Sequence, residues 1–127
     1  MIGWLRRPRD PRHKLGVWGE SQAVRFLRRR GFRILARNWQ SPGGEIDLIA
    51  ERTGEVHFVE VKTRRSDAYG EPEEAIGLEK KGRMREAARA YLNQFRRPPA
   101  EASFDVIAVT VDEKGRKKNL RWEVGAF

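Results

Sequence analysis

The sequence predicts an α/β domain in which a mixed β-sheet is flanked by helices, in the element order αβββαββ. Three observations predict it. Two apolar strand-like segments, Glu45 to Glu51 and Glu55 to Thr63, are separated only by Arg52-Thr53-Gly54, which makes them an antiparallel hairpin. Phe104 to Val111 is an almost uninterrupted apolar run, as expected of a strand buried on both faces. Segments with helical apolar spacing stand before and after the hairpin and supply the layers that cover a sheet. The chain of 127 residues fits one domain with one core. Residues 1–13 read as a basic arm and 14–127 as the single domain.

The arm carries Arg6, Arg7, Arg9 and Arg12 among Pro8 and Pro11. From Lys14 to Arg30, Leu15, Trp18, Ala23, Val24, Phe26 and Leu27 recur at helical spacing, and Gly31 stops the helix. Phe32 to Asn38 alternates Phe32, Ile34 and Ala36 with Arg33 and Arg37, a short strand. Gln40-Ser41-Pro42-Gly43-Gly44 is turn chemistry. In the next strand Ile46, Leu48 and Ala50 fall on one face and Glu45, Asp47 and Ile49 on the other. Its hairpin partner has Val56, Phe58, Val59 and Val61 on both faces and should be central. Arg64 to Pro72 reads as a loop. A helix follows, firmest from Leu78 and running to about Phe95, with Met84, Ala87, Ala88, Tyr91 and Leu92 as its stripe. Gly77 and Gly82 weaken its start, and Arg97-Pro98-Pro99 ends it. After Phe104 to Val111, a charged turn over Asp112 to Asn119 leads to an edge strand from Leu120 to Val124.

Composition narrows the partners. There are 27 basic against 18 acidic residues, a net charge of +9. Such a surplus favours a polyanion, because neutralising phosphates releases condensed counterions; the plainer reading is that it keeps the chain soluble. Nucleic acid is the expected partner. No apolar run approaches the ~20 residues of a membrane span, and the start Met1-Ile2-Gly3-Trp4-Leu5 turns at once to Arg and Pro, unlike a signal peptide. The absence of cysteine excludes disulfides and cysteine-ligated zinc, and fits a cytoplasmic location.

An acid, any residue and then lysine occurs at Glu60-Val61-Lys62, Glu79-Lys80-Lys81 and Asp112-Glu113-Lys114. In so charged a chain the triplet alone carries little. Context separates the three: only Glu60 and Lys62 lie inside an apolar strand, where residues two apart share a face. Burying that pair often fails to repay its desolvation, so the alternatives are an ion pair closing a sheet face or a carboxylate and an ammonium delivered to a reacting centre. Asp47 likewise interrupts an apolar strand, and the hairpin sets it beside Glu60. Two carboxylates at ~4 Å repel by about 4 kcal/mol at an effective dielectric near 20. Lys62 or a divalent cation offsets that; Mg²⁺ or Mn²⁺ suits two carboxylates supplemented by water and substrate oxygens. Glu20 stands three and four residues before Ala23 and Val24 and seven before Leu27, on the packed face of the first helix. It needs a partner there, either the same cation or a backbone group. His13 lies in the arm and His57 points away from Glu60, so neither is a candidate.

Gly19-Glu20, Gly44-Glu45-Ile46-Asp47-Leu48-Ile49-Ala50 and Phe58-Val59-Glu60-Val61-Lys62-Thr63-Arg64 closely resemble the YraN-like family, uncharacterised protein family 0102. The resemblance continues through Gly70, Pro72, Glu74-Ala75, Lys80, Ala88, Tyr91-Leu92, Phe104 to Val109 and Ala126-Phe127. It departs at Gly77-Leu78, where threonine-proline is usual, and at Gly82, where a basic residue is usual. Members look like relatives of archaeal Holliday-junction resolvases in the PD-(D/E)xK nuclease superfamily. The resemblance implies a restriction-endonuclease-like fold and a metal-dependent endonuclease acting on phosphodiester bonds, of branched or structured DNA among other substrates. By it, Asp47, Glu60 and the main-chain carbonyl of Val61 would bind the metal. Lys62 would orient or help deprotonate the attacking water, or stabilise the pentacovalent phosphate, and Glu20 would support the metal from the helix. Arg64, Arg65, Lys80 and Arg83 would contact phosphates. Paired cutting by a resolvase-like action requires two sites and hence a homodimer. The rival expectation is a nucleic-acid-binding module with this fold and little or no cleavage; a third is a protein-interaction scaffold.

Overall fold

The computed structural model describes residues 11–65, 76–99, 101–112, 114 and 116–127. Its elements are α1 (Pro11–Arg29), β1 (Arg33–Ser41), β2 (Gly44–Arg52), β3 (Glu55–Arg64), α2 (Leu78–Leu92), β4 (Glu101–Val111) and β5 (Lys117–Glu123). The predicted order αβββαββ is therefore found, in a restriction-endonuclease-like arrangement. The five strands stand in chain order across one sheet, antiparallel except for β3 and β4, which pair in parallel. A parallel pair needs a crossover, and α2 lies within it.

Residues 1–10 of the expected arm lie outside the described residues, and Pro11 to His13 open α1. The loop expected over Arg64 to Pro72 likewise falls outside them from residue 66 onward. The first helix ends where glycine allows it to. Gly31 has φ +85°, the left-handed conformation, and its N–H donates to Arg28 O at 3.0 Å while Phe32 N–H donates to Leu27 O at 3.1 Å. Leu27 and Phe32 then pack in the same apolar cluster, which completes a Schellman stop.

The sheet is covered on both faces. Ala23, Val24 and Leu27 of α1 pack on Leu48, Ala50, Val59, Ile107 and Val109. Ala87, Ala88 and Tyr91 of α2 pack on Ile49, Val56 and Phe58. Adjacent residues such as Leu48 and Ile49, or Phe58 and Val59, thus enter opposite layers, as strand alternation requires. Ile46 breaks that pattern: it packs with Ile49 on the α2 side, not with Leu48. The break falls opposite Asn38, which adopts φ +49° between the pairs Arg37↔Leu48 and Trp39↔Ile46; Trp39 shares the α2 side with Ile46.

Glycine sets how closely the helices approach. A Cβ on Gly19 would lie 1.8 Å from Thr63 Oγ1, and one on Gly44 would lie 2.3 Å from the Arg83 carbonyl oxygen. So α1 crosses β3 at Thr63, and α2 lies on the start of β2. Both crossings border the same end of the β2–β3 hairpin. Among the described residues, no helix is long and apolar enough to cross a membrane.

Candidate active site

The β2–β3 ladder runs from Arg52↔Glu55 to Leu48↔Val59 and goes no further. The other edge of β3 stays paired to β4 as far as Arg64↔Thr110. One residue beyond Leu48, the backbone bond is replaced by a side chain: Asp47 Oδ2 accepts the N–H of Val61 at 2.9 Å. The two strands part here, and Asp47 and Glu60 stand at the opening on the α2 side. This is the juxtaposition the hairpin predicted.

Glu60 is 3% exposed, and its Oε1 is buried without a hydrogen-bond donor. Its charge is met from two sides: Lys62 Nζ lies 3.4 Å from Oε2, and Lys80 Nζ 3.6 Å from Oε1. Burial pushes the Asp47 carboxyl up to about 7, aided by repulsion from Glu60 and by a hydrogen bond to Glu60, against the Val61 N–H and the Lys80 charge. A carboxyl at that level holds its proton near neutrality unless a stronger cation arrives. The donor chemistry therefore fits a hard divalent ion: two adjoining carboxylates, one with a buried oxygen that no N–H or O–H satisfies.

The remaining expected residues distribute unevenly. Lys80 turns out to be an ion-pair partner of Glu60, and it also lies 4.0 Å from Glu45. Lys80 and Arg83 line an open cavity of about 310 Å³ between α2 and the β1–β2 turn, with Gln40 and Glu45 among its walls. Arg83 also pairs with Glu79 at 2.8 Å. Arg64 is half-buried at the end of β3, and Arg65 is exposed beyond it. Glu20 does sit on the packed side of α1, but β1 holds it: its Oε1 accepts from Asn38 Nδ2 at 2.9 Å and lies 3.9 Å from Arg37 Nε. Among the described residues, no three His, Asp or Glu side chains group closely enough to hold a metal ion. Glu20 is therefore not brought into the pair formed by Asp47 and Glu60.

One polar cluster was not anticipated. His57, set aside because it faces away from Glu60, is buried with Nδ1 2.6 Å from Asp105 Oδ2. Asp105, wholly buried, also accepts from Ser103 Oγ (2.7 Å), Trp122 Nε1 (2.9 Å) and Gly125 N–H (3.1 Å). Ser103 and Asp105 approach the same nitrogen of His57, so the imidazole cannot relay a proton between them. The cluster ties β3, β4, β5 and the C-terminal turn together. A sequence signal did exist: Asp105 interrupts an apolar strand as Asp47 does.

Residues 19–109 match the uncharacterised protein family UPF0102. Similar proteins include a UPF0102 protein of Syntrophomonas wolfei, 44% identical over 84% of this chain and 92% of its own. Another from Syntrophotalea carbinolica is 42% identical over 91% and 93%. A third from Pelotomaculum thermopropionicum is 41% identical over 93% and 98%. The match runs from Gly19 within α1 to Val109 in β4, including Glu20, Asp47, Glu60, Lys62 and Lys80. The chain belongs to the uncharacterised protein family UPF0102.

Proposed function

We propose that this protein is a metal-dependent endonuclease that hydrolyses phosphodiester bonds of nucleic acid, DNA in preference to RNA. One observation carries the reading: Asp47 and Glu60 adjoin where the β2–β3 ladder stops, flanked by Lys62 and Lys80. A purely structural ion network has no need of a second, proton-hungry carboxylate beside Glu60 at an open strand end. Asp47 and Glu60, with the carbonyl of Val61, would hold Mg²⁺ or Mn²⁺. When bound there, the ion lowers the pKa of water and offsets charge on the phosphate. Lys62, near the Glu60 carboxylate, would orient a water or stabilise developing phosphate charge. Lys80 and Arg83 face the adjoining cavity and would neutralise substrate phosphates, while Arg64 and Arg65 extend that charge along the end of β3.

Glu20's engagement with Asn38 favours a second reading, a nucleic-acid-binding module that does not cut. One experiment separates the two. Labelled branched, flap, single-stranded and duplex substrates are incubated with Mg²⁺ or Mn²⁺ and either wild type or Asp47→Ala. Cleavage by wild type alone is expected. If both proteins bind and neither cuts any substrate, the nuclease reading is wrong and the binding module replaces it.

A further inference from the structure

Three arginines around the C-terminal half of α1 have structural work. Arg30 stacks on Phe26 at 3.7 Å, Arg33 pairs with Glu51 at 3.0 Å, and Arg52 covers Phe32 while donating to Arg30 O at 2.7 Å. Arg25, Arg28 and Arg29 differ. They are exposed, and among the described residues no ion pair, hydrogen bond or ring contact engages their side chains. With Arg37 of β1, Ser21 and Val24 they wall an open cavity of about 440 Å³ between α1 and β1.

Arg25 stands three residues before Arg28 and four before Arg29, spacings at which like charges on a helix repel. The fold therefore gathers four guanidiniums around one concavity; among the described residues only Arg37 has a carboxylate near it, Glu20 at 3.9 Å. A planar guanidinium fork matches a phosphate oxygen pair. The cavity also has a defined relation to the acidic site: Arg37 is the cross-strand partner of Leu48, the residue next to Asp47. The cavity opens on the α1 side of that strand pair and the carboxylates on the α2 side, so a polyanion leaving the site over the β1 edge meets Arg37 first.

We infer that this arginine-walled cavity binds the phosphodiester backbone of a nucleic-acid segment flanking the candidate active site. The inference deepens the nuclease reading and rests on it for the continuity of the strand. Guanidiniums without a base-reading pocket grip phosphates alone, so the contact is independent of sequence. It adds a second foothold, and a substrate long enough to span both is held more firmly than a short one.

The test is equilibrium binding of a labelled DNA duplex of mixed sequence, with chelator present so that nothing is cut. Wild type is compared with the triple variant Arg25→Gln, Arg28→Gln, Arg29→Gln. The control is Arg96→Gln, Arg97→Gln, Lys114→Gln, which removes the same charge from exposed positions elsewhere. The cavity variant should bind at least about tenfold more weakly than the control, with a log–log salt dependence shallower by about 3. Its thermal midpoint should match or exceed wild type, since like-charge repulsion is relieved; Arg28→Gln alone, with a slope change of about 1, serves should the triple variant unfold. Equal binding by cavity and control variants overturns the inference. So does tight wild-type binding of pyrophosphate that the triple variant loses while its duplex affinity stays intact, which would mark a small-anion site. Duplex binding through the cavity without cleavage by any metal-loaded wild type would retire the nuclease reading and leave the cavity standing.

Discussion

Asp47→Asn should stabilise the metal-free protein, and by an amount that depends on pH. Asparagine keeps an oxygen to accept the Val61 N–H and gains an amide that donates to Glu60, so the local geometry survives. What it removes is a titration. Asp47 moves from 3.8 to about 7 on folding, because burial and the neighbouring Glu60 disfavour its charge. The folded-state value lies above the unfolded one, so the native state holds this proton more tightly. Stability therefore falls as pH rises from 3.8 and levels off above about 7. At about 1.4 kcal/mol per unit, the ionised group costs about 4 kcal/mol near pH 8 and about 2 kcal/mol near pH 5.5. Asparagine stays neutral throughout and avoids both costs. Urea denaturation in chelator should find Asp47→Asn the more stable protein near pH 8, with the gap narrowing by about 2 kcal/mol near pH 5.5. A divalent ion held by the wild-type pair should close the gap further, by about 3 kcal/mol at a hundredfold excess over its dissociation constant. A variant less stable than wild type near pH 8, or a gap indifferent to pH, would refute the account of this site.

Three further outcomes follow from the packing. Gly82→Ala should raise stability by about 1 kcal/mol in thermal or urea unfolding, because it sits inside α2 with open space where the Cβ goes. The same change at Gly19 should lower stability by about 1–2 kcal/mol, since overpacking against Thr63 exceeds the gain in helix propensity, and Gly19→Ala with Thr63→Ala should recover part of the loss. His57→Asn should destabilise most between about pH 4 and pH 6.5. Its hydrogen bond to Asp105 raises His57 above 6.5 against burial, so that stabilisation fades as pH rises through the raised value; burial pushes Asp105 up, but the hydrogen bonds from His57, Ser103, Gly125 and Trp122 hold it below 3.8, so acid removes the stabilisation only below that. A urea midpoint difference between wild type and variant that grows above neutral pH would contradict this pairing.

The fold was legible because its strongest signals are local. The tight turn between β2 and β3, the apolar run of β4 and the helical stripe of α2 each follow from spacing alone. The boundaries moved where tertiary contacts extend an element beyond its apolar stretch: β4 starts at Glu101 because β3 pairs with it from Glu55 onward. Asp47 beside Glu60 was readable from the hairpin, since register across a short turn leaves little freedom. Three things were not. The break in alternation at Ile46 falls opposite a left-handed Asn38, which apolar spacing cannot reveal. Lys80's approach to Glu60 depends on how α2 crosses the sheet. The His57–Asp105 cluster joins two strands far apart in sequence through the parallel register His57↔Ser103.

The two buried acids of the sheet show why burial alone does not mark a reactive site. Asp105 is the more deeply buried, yet three donors and an imidazole surround it and hold its carboxyl down, so it staples strands together. Asp47 receives one backbone N–H and a neighbouring carboxylate that pushes it up. The difference comes from the donors in reach: His57, Ser103, Trp122 and the Gly125 N–H converge on Asp105 just ahead of the β4–β5 ladder, whereas Asp47, where β2 and β3 have parted, receives the Val61 N–H and faces Glu60. An acid left under-satisfied at a strand parting retains affinity for a cation, and one enclosed by donors does not. Glu60 fits the same rule, with two ammonium groups at 3.4 and 3.6 Å and still an oxygen without a hydrogen bond. On the proposed nuclease reading, the pair's affinity for a cation would depend on this parting of the strands, and restoring continuous pairing past Leu48↔Val59 should remove it even with both carboxylates in place.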